Sequence, residues 1–431
     1  MAKEKPGLYP EYRAFLLVCL LFVVLAFIFD RPSEIFPGYV RILTSRGLQI
    51  TDFMYIGGLG ATILNSVIVA LFALWLLRMM DAKPSGPAIM TFWMSLGWTF
   101  YGTTIINILP MTMGVYLYAR MKKQPFSNYM IPALLCATIA PIVSVFFVSN
   151  PVVANMELEL PLVINVLKGI AAGLLCGFIL PMVASATARM HDGYTLYNIG
   201  VAGGMIAMFL AAVFNSFGIN IPTEYYRQTD DNVRVAMFMY IACGILLFMG
   251  LFAGRAAKTD HVKNYKALCA QTGRAPNDFY SLFGPTTYIN MALMGILGTS
   301  TVIALGAYFD GGVVASLFTM IAFGAMGKHL RNVIPLLIGA LICAHLVAAP
   351  PTSFVIVLSV LLVSCLAPMS GQFGPIWGIV IGFVHVIITY YTGHLTNGLN
   401  LYNNGFASGF VALILVPIIS NFVKKSKTPA P

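Results

Sequence analysis

The sequence predicts an all-α polytopic membrane protein of about fourteen transmembrane segments arranged as two inverted-topology repeats. Three observations predict it: an apolar composition, apolar runs that recur along the whole chain, and a long internal self-similarity. The 431 residues are 59% hydrophobic and only 9% charged, with a mean hydropathy of +0.84. Soluble domains carry about 25% charged residues because their surfaces face water. This chain therefore presents a lipid-facing surface, and the continuity of its apolar runs argues for one membrane domain rather than several soluble ones.

A bilayer core takes about 20 apolar residues per helix. Candidate segments begin near residues 13, 53, 88, 104, 129, 166, 193, 235, 285, 311, 331, 351, 373 and 401. Segments 88–102 and 311–326 are short enough to be read as re-entrant. The first apolar run, 15–29, ends in Asp30-Arg31-Pro32 without a small-residue cleavage site, so it reads as a retained span and not as a signal peptide.

The excess of 25 Lys+Arg over 15 Asp+Glu lies in short clusters between apolar runs. Such clusters set topology and argue against a nucleic-acid partner. With Arg120, Lys122 and Lys123 placed in the cytoplasm, Arg78/Lys83, the basic loop 255–274, Lys328/Arg331 and the tail Lys424-Lys425-Ser426-Lys427 fall on the same side. The acidic segments 157–159 and 224–231 then fall outside, and both termini are cytoplasmic. The cytoplasmic membrane of a prokaryote is the expected location. Six cysteines lie in apolar segments, Cys269 stands in a polar loop, and no C-x-x-C pair occurs, so neither disulfides nor a metal site is expected.

The self-similarity organises the chain. Gly193-Tyr194-Thr195-Leu196-Tyr197-Asn198-Ile199-Gly200 recurs 205 positions on as Gly398-Leu399-Asn400-Leu401-Tyr402-Asn403-Asn404-Gly405, and Gly169, Gly173 and Gly177 match Gly374, Gly378 and Gly382 at the same offset. Upstream, Gly102, Asn107, Pro110 and Gly114 match Gly327, Asn332, Pro335 and Gly339 at an offset of 225. Counting spans puts the two copies in opposite orientations, with one extra span, 235–254, between them. The expected organisation is a first helix and outer segment (1–52), repeat 1 (53–215), a linking helix and basic loop (216–284), repeat 2 (285–423) and a basic tail (424–431). Inverted repeats with broken helices at the midplane are typical of transporters and solute channels.

Candidate solute-contacting residues come from the matched polar units. Asn107 and Pro110, with Asn332 and Pro335, place an amide beside carbonyls that proline frees from the helix ladder. Tyr197, Asn198 and Gly200, with Tyr402, Asn403, Asn404 and Gly405, offer amides, hydroxyls and flexible backbone where a half-helix would present free N–H groups. The alternative for each is helix packing through small residues and amides, and the Gly169/Gly173/Gly177 and Gly374/Gly378/Gly382 rows are read that way. No acidic residue sits mid-span, since Asp52, Asp192 and Asp310 lie at segment ends. His345 and His385 are the only mid-span ionisable candidates and the only candidates for a proton relay.

The order of these motifs resembles the urea-transporter family, whose halves carry an Asn-Pro unit, a glycine-rich helix and a Gly-Tyr-Asn unit. Here two residues separate Asn from Pro, and the family's later proline box is missing after both Tyr-Asn units. The chain more nearly resembles an uncharacterised group of polytopic bacterial membrane proteins. The urea-transporter resemblance implies inverted halves, a narrow pathway in each protomer, a homo-oligomer (trimer or dimer) and small amides as cargo. The expected function is passage of a small, polar, largely neutral solute through a channel or facilitator, without cofactor or catalysis. An ion-coupled carrier is the alternative, and an intramembrane hydrolase using Ser408 is a remote one.

Overall fold

The computed structural model describes residues 8–48, 51–148, 152–153, 162–221, 225–275 and 277–423. The acidic segment 157–159, Lys3, Lys5 and the Lys424–Lys427 tail lie outside the described residues, as does Glu224. The fold is all-α apart from one two-stranded pairing of Val152–Val153 with Ile219–Asn220.

Among the described residues, nine helices are long and apolar enough to cross a membrane: Pro10–Phe29, Leu59–Met79, Leu162–His191, Asn198–Ser216, Asn232–Ala256, Thr286–Leu305, Phe354–Phe373, Pro375–Thr396 and Asn403–Phe422. A tenth is formed if Phe126–Ile139 and Pro141–Phe147, bent by 49° at their junction, count as one span. The first helix shows the lipid-facing pattern, with Phe15, Phe22 and Ala26 buried and Leu17, Leu20 and Ile28 exposed on the other side.

The remaining expected segments are shorter helices. Gly86–Trp98 and Gly311–Phe323 have thirteen residues each, about 20 Å at 1.5 Å per residue, less than a bilayer core of about 30 Å. They are also enclosed: every residue of Gly311–Phe323 is buried, and every residue of Gly86–Trp98 except Pro87. A helix hydrophobic on all sides belongs in a core. The two pack together with opposed ends, for Gly86 lies beside the Ala325 carbonyl and Gly311 beside that of Phe100. Their starts are set locally. Ser85 accepts from the Ala88 N–H at one, and Asp310 accepts from the Val313 N–H at 2.9 Å at the other.

The matched sequence blocks build matched structure. Asn65 donates to the carbonyls of Thr99 (2.8 Å) and Thr103 (2.9 Å), and 225 positions on Asn290 donates to those of Gly324 (2.7 Å) and Lys328 (2.7 Å). These amides satisfy the backbone where each short helix stops, in turns that are almost wholly buried and out of reach of water. Helix Ile105–Met121 packs on Leu162–His191 as Leu330–Ala344 packs on Pro375–Thr392. The crossings run through glycines: a Cβ on Gly173 would stand 2.9 Å from Pro110, and one on Gly378 would stand 2.8 Å from Pro335. The glycine rows therefore pack helices.

Candidate functional site: a cavity ending at two matched tyrosines

Each Tyr-Asn unit opens a helix after a buried turn. The Leu196 N–H donates to the Cys365 carbonyl (3.0 Å) and the Leu401 N–H to that of Thr138 (2.9 Å). Both acceptors lie in 3-10 stretches, Val363–Leu366 and Cys136–Ile139, that interrupt longer helices. Thr195 and Asn400 then each accept, through the side chain, the N–H of the following Tyr197 or Tyr402 (3.3 and 3.1 Å). The tyrosines come together with ring centroids 6.2 Å apart.

A cavity of about 720 Å³ ends at these rings. Its wall includes Met90, Met94, Trp98, Leu135 and Phe323 on the apolar side, and His191, Tyr197, Asn198 and Tyr402 on the polar side; its mouth lies among Ser127–Met130, Asp192 and Ala275. Tyr402 packs on Trp98 at 4.0 Å between centroids, and its hydroxyl meets Thr319 Oγ1 at 2.5 Å. Tyr197 packs on Phe323 at 4.9 Å, and its hydroxyl accepts from Lys328 Nζ. This volume and mixture of walls suit a small organic ligand.

The expected site residues divide into two groups. Tyr197, Asn198, Gly200 and Tyr402 line the cavity, and Gly405 abuts Gly200 at the crossing of their helices. Asn198 is held on three sides: its Oδ1 accepts from Thr187 (2.7 Å) and His191 Nε2 (2.9 Å), and its Nδ2 donates to the Ala184 carbonyl (2.9 Å). Asn403 repeats the last bond, donating to the Thr389 carbonyl at 3.1 Å, but it is buried and lies off this cavity. Its neighbour Asn404 is bound to His385 at 3.2 Å.

Asn107 and Asn332 are placed as caps rather than cavity walls. Asn107 Oδ1 accepts from the Thr104 N–H (3.0 Å) while its Nδ2 donates to the Gly102 carbonyl (2.8 Å) and Ser144 Oγ (2.9 Å). Asn332 repeats this with the His329 N–H (3.0 Å) and the Gly327 carbonyl (2.9 Å). Such use leaves the amides little capacity for a solute. Pro110 and Pro335 sit in the glycine crossings just described, within continuous helices. The helices break before these prolines, at 99–104 and 324–329.

The charge expectations need correction. Lys328, read from sequence as a topology residue in a loop, is 0% exposed, and Asp52 and Asp310 are buried as well. His345 is exposed, with its Nδ1 on the Leu341 carbonyl at 2.8 Å, so it is not an interior residue. His385 is buried, between Asn404 and Thr389 (3.3 Å). Asp310 pairs with Arg227 at 2.5 Å, and Asp52 accepts from the N–H groups of Met54, Gln228 and Gly311 at 2.8 to 2.9 Å. Ser408 is bonded to Thr195 (2.8 Å) and the Gly405 carbonyl (2.7 Å), which makes it a packing hydroxyl between the two units.

Sequence reasoning also missed His191, Trp98 and Phe323. A signal for Lys328 was present: it directly follows Gly327, inside the block matched to Gly102–Gly114, so it belongs to a buried break and not to a surface loop.

A family described as a protein of unknown function, DUF1576, matches residues 31–216 and 257–421. The chain belongs to this family. The two matched stretches contain both self-similar sequence blocks and every residue of the cavity wall named above, and they leave out the whole of helix Asn232–Ala256. No curated protein and no solved structure matches the chain.

Proposed function

We propose that the protein moves a small polar solute across the cytoplasmic membrane, binding it in the cavity that ends at Tyr197 and Tyr402. The observation that carries this reading is the meeting of two sequence-matched units, one from each repeat, at the end of a cavity of ligand size. In an inverted-repeat carrier the solute sits at such an interface, beside helices that begin inside the membrane. On this reading the fourteen segments are fourteen crossings, the thirteen-residue helices included, and the halves are inverted about an axis in the membrane plane.

The cavity favours a carrier over an open channel. It is reached from the Ser127–Met130, Asp192 and Ala275 end, which the positive-inside rule assigns to the cytoplasm, whereas the matching Asn403 and Asn404 are enclosed. An inward-open state would look like this. An uncoupled urea-like facilitator and an ion-coupled carrier both remain within this reading, and homo-oligomerisation with it.

Flux in proteoliposomes tests it, with labelled urea, acetamide, acetate, lactate and succinate as probes. Wild type is expected to move at least one of them, and Asn198→Ala to lower that flux tenfold or more while remaining folded. Flux of none, or equal flux by the variant, refutes the reading.

A further inference from the structure

Lys328 is the feature of the interior that the matched architecture does not require. Its carbonyl takes the Asn290 bond, but the same bond in the other half is taken by the carbonyl of Thr103, so the turn forms with a neutral side chain. What distinguishes position 328 is an amine, fully buried. Its partners are neutral: Nζ donates to the Tyr197 hydroxyl and to Ser364 Oγ at 2.9 Å, and lies 4.5 Å from the Tyr197 ring centroid and 5.2 Å from that of Phe323. Among the described residues no carboxylate forms an ion pair with it. Asp192, at the cavity mouth, is taken by Arg274.

A buried ammonium without a counter-charge is strongly unfavourable, so a buried amine gives up its proton unless an anion beside it supplies the opposite sign. The cavity directly in front of Tyr197 is where that group would sit. A further set of donors faces the same space. Helix Asn198–Ser216 begins there, and its first residues Asn198, Ile199 and Gly200 line the wall with N–H groups that have no acceptor in their own helix. With Lys328 donating to its oxygen, the Tyr197 hydroxyl keeps its own proton to give and becomes a stronger donor.

We propose that the solute is a small organic anion bearing a carboxylate, and that Lys328, acting through Tyr197, is its counter-charge. A carboxylic acid fits better than an inorganic oxyanion because Met90, Met94, Trp98, Leu135 and Phe323 give the rest of the molecule an apolar wall. This deepens the transport reading and rests on it for the solute's passage, though not for its binding.

The test uses the full chain in detergent with matched probes: acetate and acetamide, propionate and propionamide, succinate and succinamide. Thermal shift and calorimetric binding at low salt are read for wild type, Lys328→Thr, the residue of the matched position, and Lys328→Met. At least one carboxylate is expected to stabilise wild type while its amide does not, and both variants are expected to remain folded and to bind that carboxylate at least tenfold more weakly. Equal response to acid and amide, undiminished binding by both variants, or no binding of any carboxylate overturns the proposal. If the variants fail to fold, the acid-against-amide comparison on wild type still decides. Amide flux without carboxylate binding would remove the anion and leave transport standing. Lys328-dependent carboxylate binding without flux would do the reverse.

Discussion

Gly200 and Gly405 touch backbone to backbone: a Cβ built on Gly405 would lie 2.9 Å from the Cα of Gly200, and one built on Gly200 would lie 3.1 Å from the Cα of Gly405. They are the same residue of the two matched units, 205 positions apart. Helices Asn198–Ser216 and Asn403–Phe422 therefore cross at equivalent points, beside the tyrosines that close the cavity.

Gly405→Ala should be more damaging than its size suggests. The new methyl would press on Gly200 and, at 3.3 Å, on Tyr197 Cβ, and backbone cannot swing away as a side-chain end can. A loss of about 1 to 3 kcal/mol is expected from such overpacking, read as a lower Tm in detergent. An unchanged Tm would mean that the helices do not cross here.

Asn65→Ala and Asn290→Ala should behave alike. Each removes two bonds from a fully buried amide to carbonyls that end a short helix, and each leaves both acceptors in an interior without water. Orphaned buried groups cost about 1 to 3 kcal/mol each, so both variants are expected to lose at least about 2 kcal/mol. Tm and protease resistance of both variants measure this. A large loss in one and none in the other would contradict the matched architecture.

Stability should fall as pH rises through neutrality. Asp52 lies outside the spanning helices, where burial foremost and then the charge of Asp310 push its carboxyl up to about 7 from 3.8, against the three N–H groups that favour the ionised form. The folded chain then holds a proton on Asp52 that the unfolded chain has lost. This contribution is complete below pH 4 and lost as pH rises through about 7. Asp52→Asn is expected to flatten the dependence of Tm on pH between 5 and 8, and a slope equal to that of wild type would exclude this origin.

Much of this was legible in the sequence wherever a residue's role follows from its own segment. The apolar runs predicted the helices, and glycine rows at a fixed offset predicted close crossings, which Gly173 against Pro110 and Gly378 against Pro335 form. The Asn107 and Asn332 units were legible as a repeat but not in purpose, since an Asn three residues into a helix serves equally as a cap or as a wall. The fourteen segments read from sequence outnumber the nine or ten long helices among the described residues because shorter apolar runs, such as the thirteen residues of Gly311–Phe323 and the fifteen of Leu330–Ala344, read as segments whether they face lipid or only protein.

By itself, the sequence determined that this chain is helical, membrane-embedded and internally repeated, because hydrophobicity and periodicity are local properties and survive in one dimension. Only the tertiary structure decided which polar residues share a space. Asn198 and Asn403 are equivalent in sequence, yet one lines a cavity and the other is enclosed. Lys328 and the loop lysines are equivalent in composition, yet Lys328 is shut inside beside Tyr197, a residue 131 positions away. Burial and charge pairing depend on what the fold brings from distant segments, and that information enters only when the helices pack.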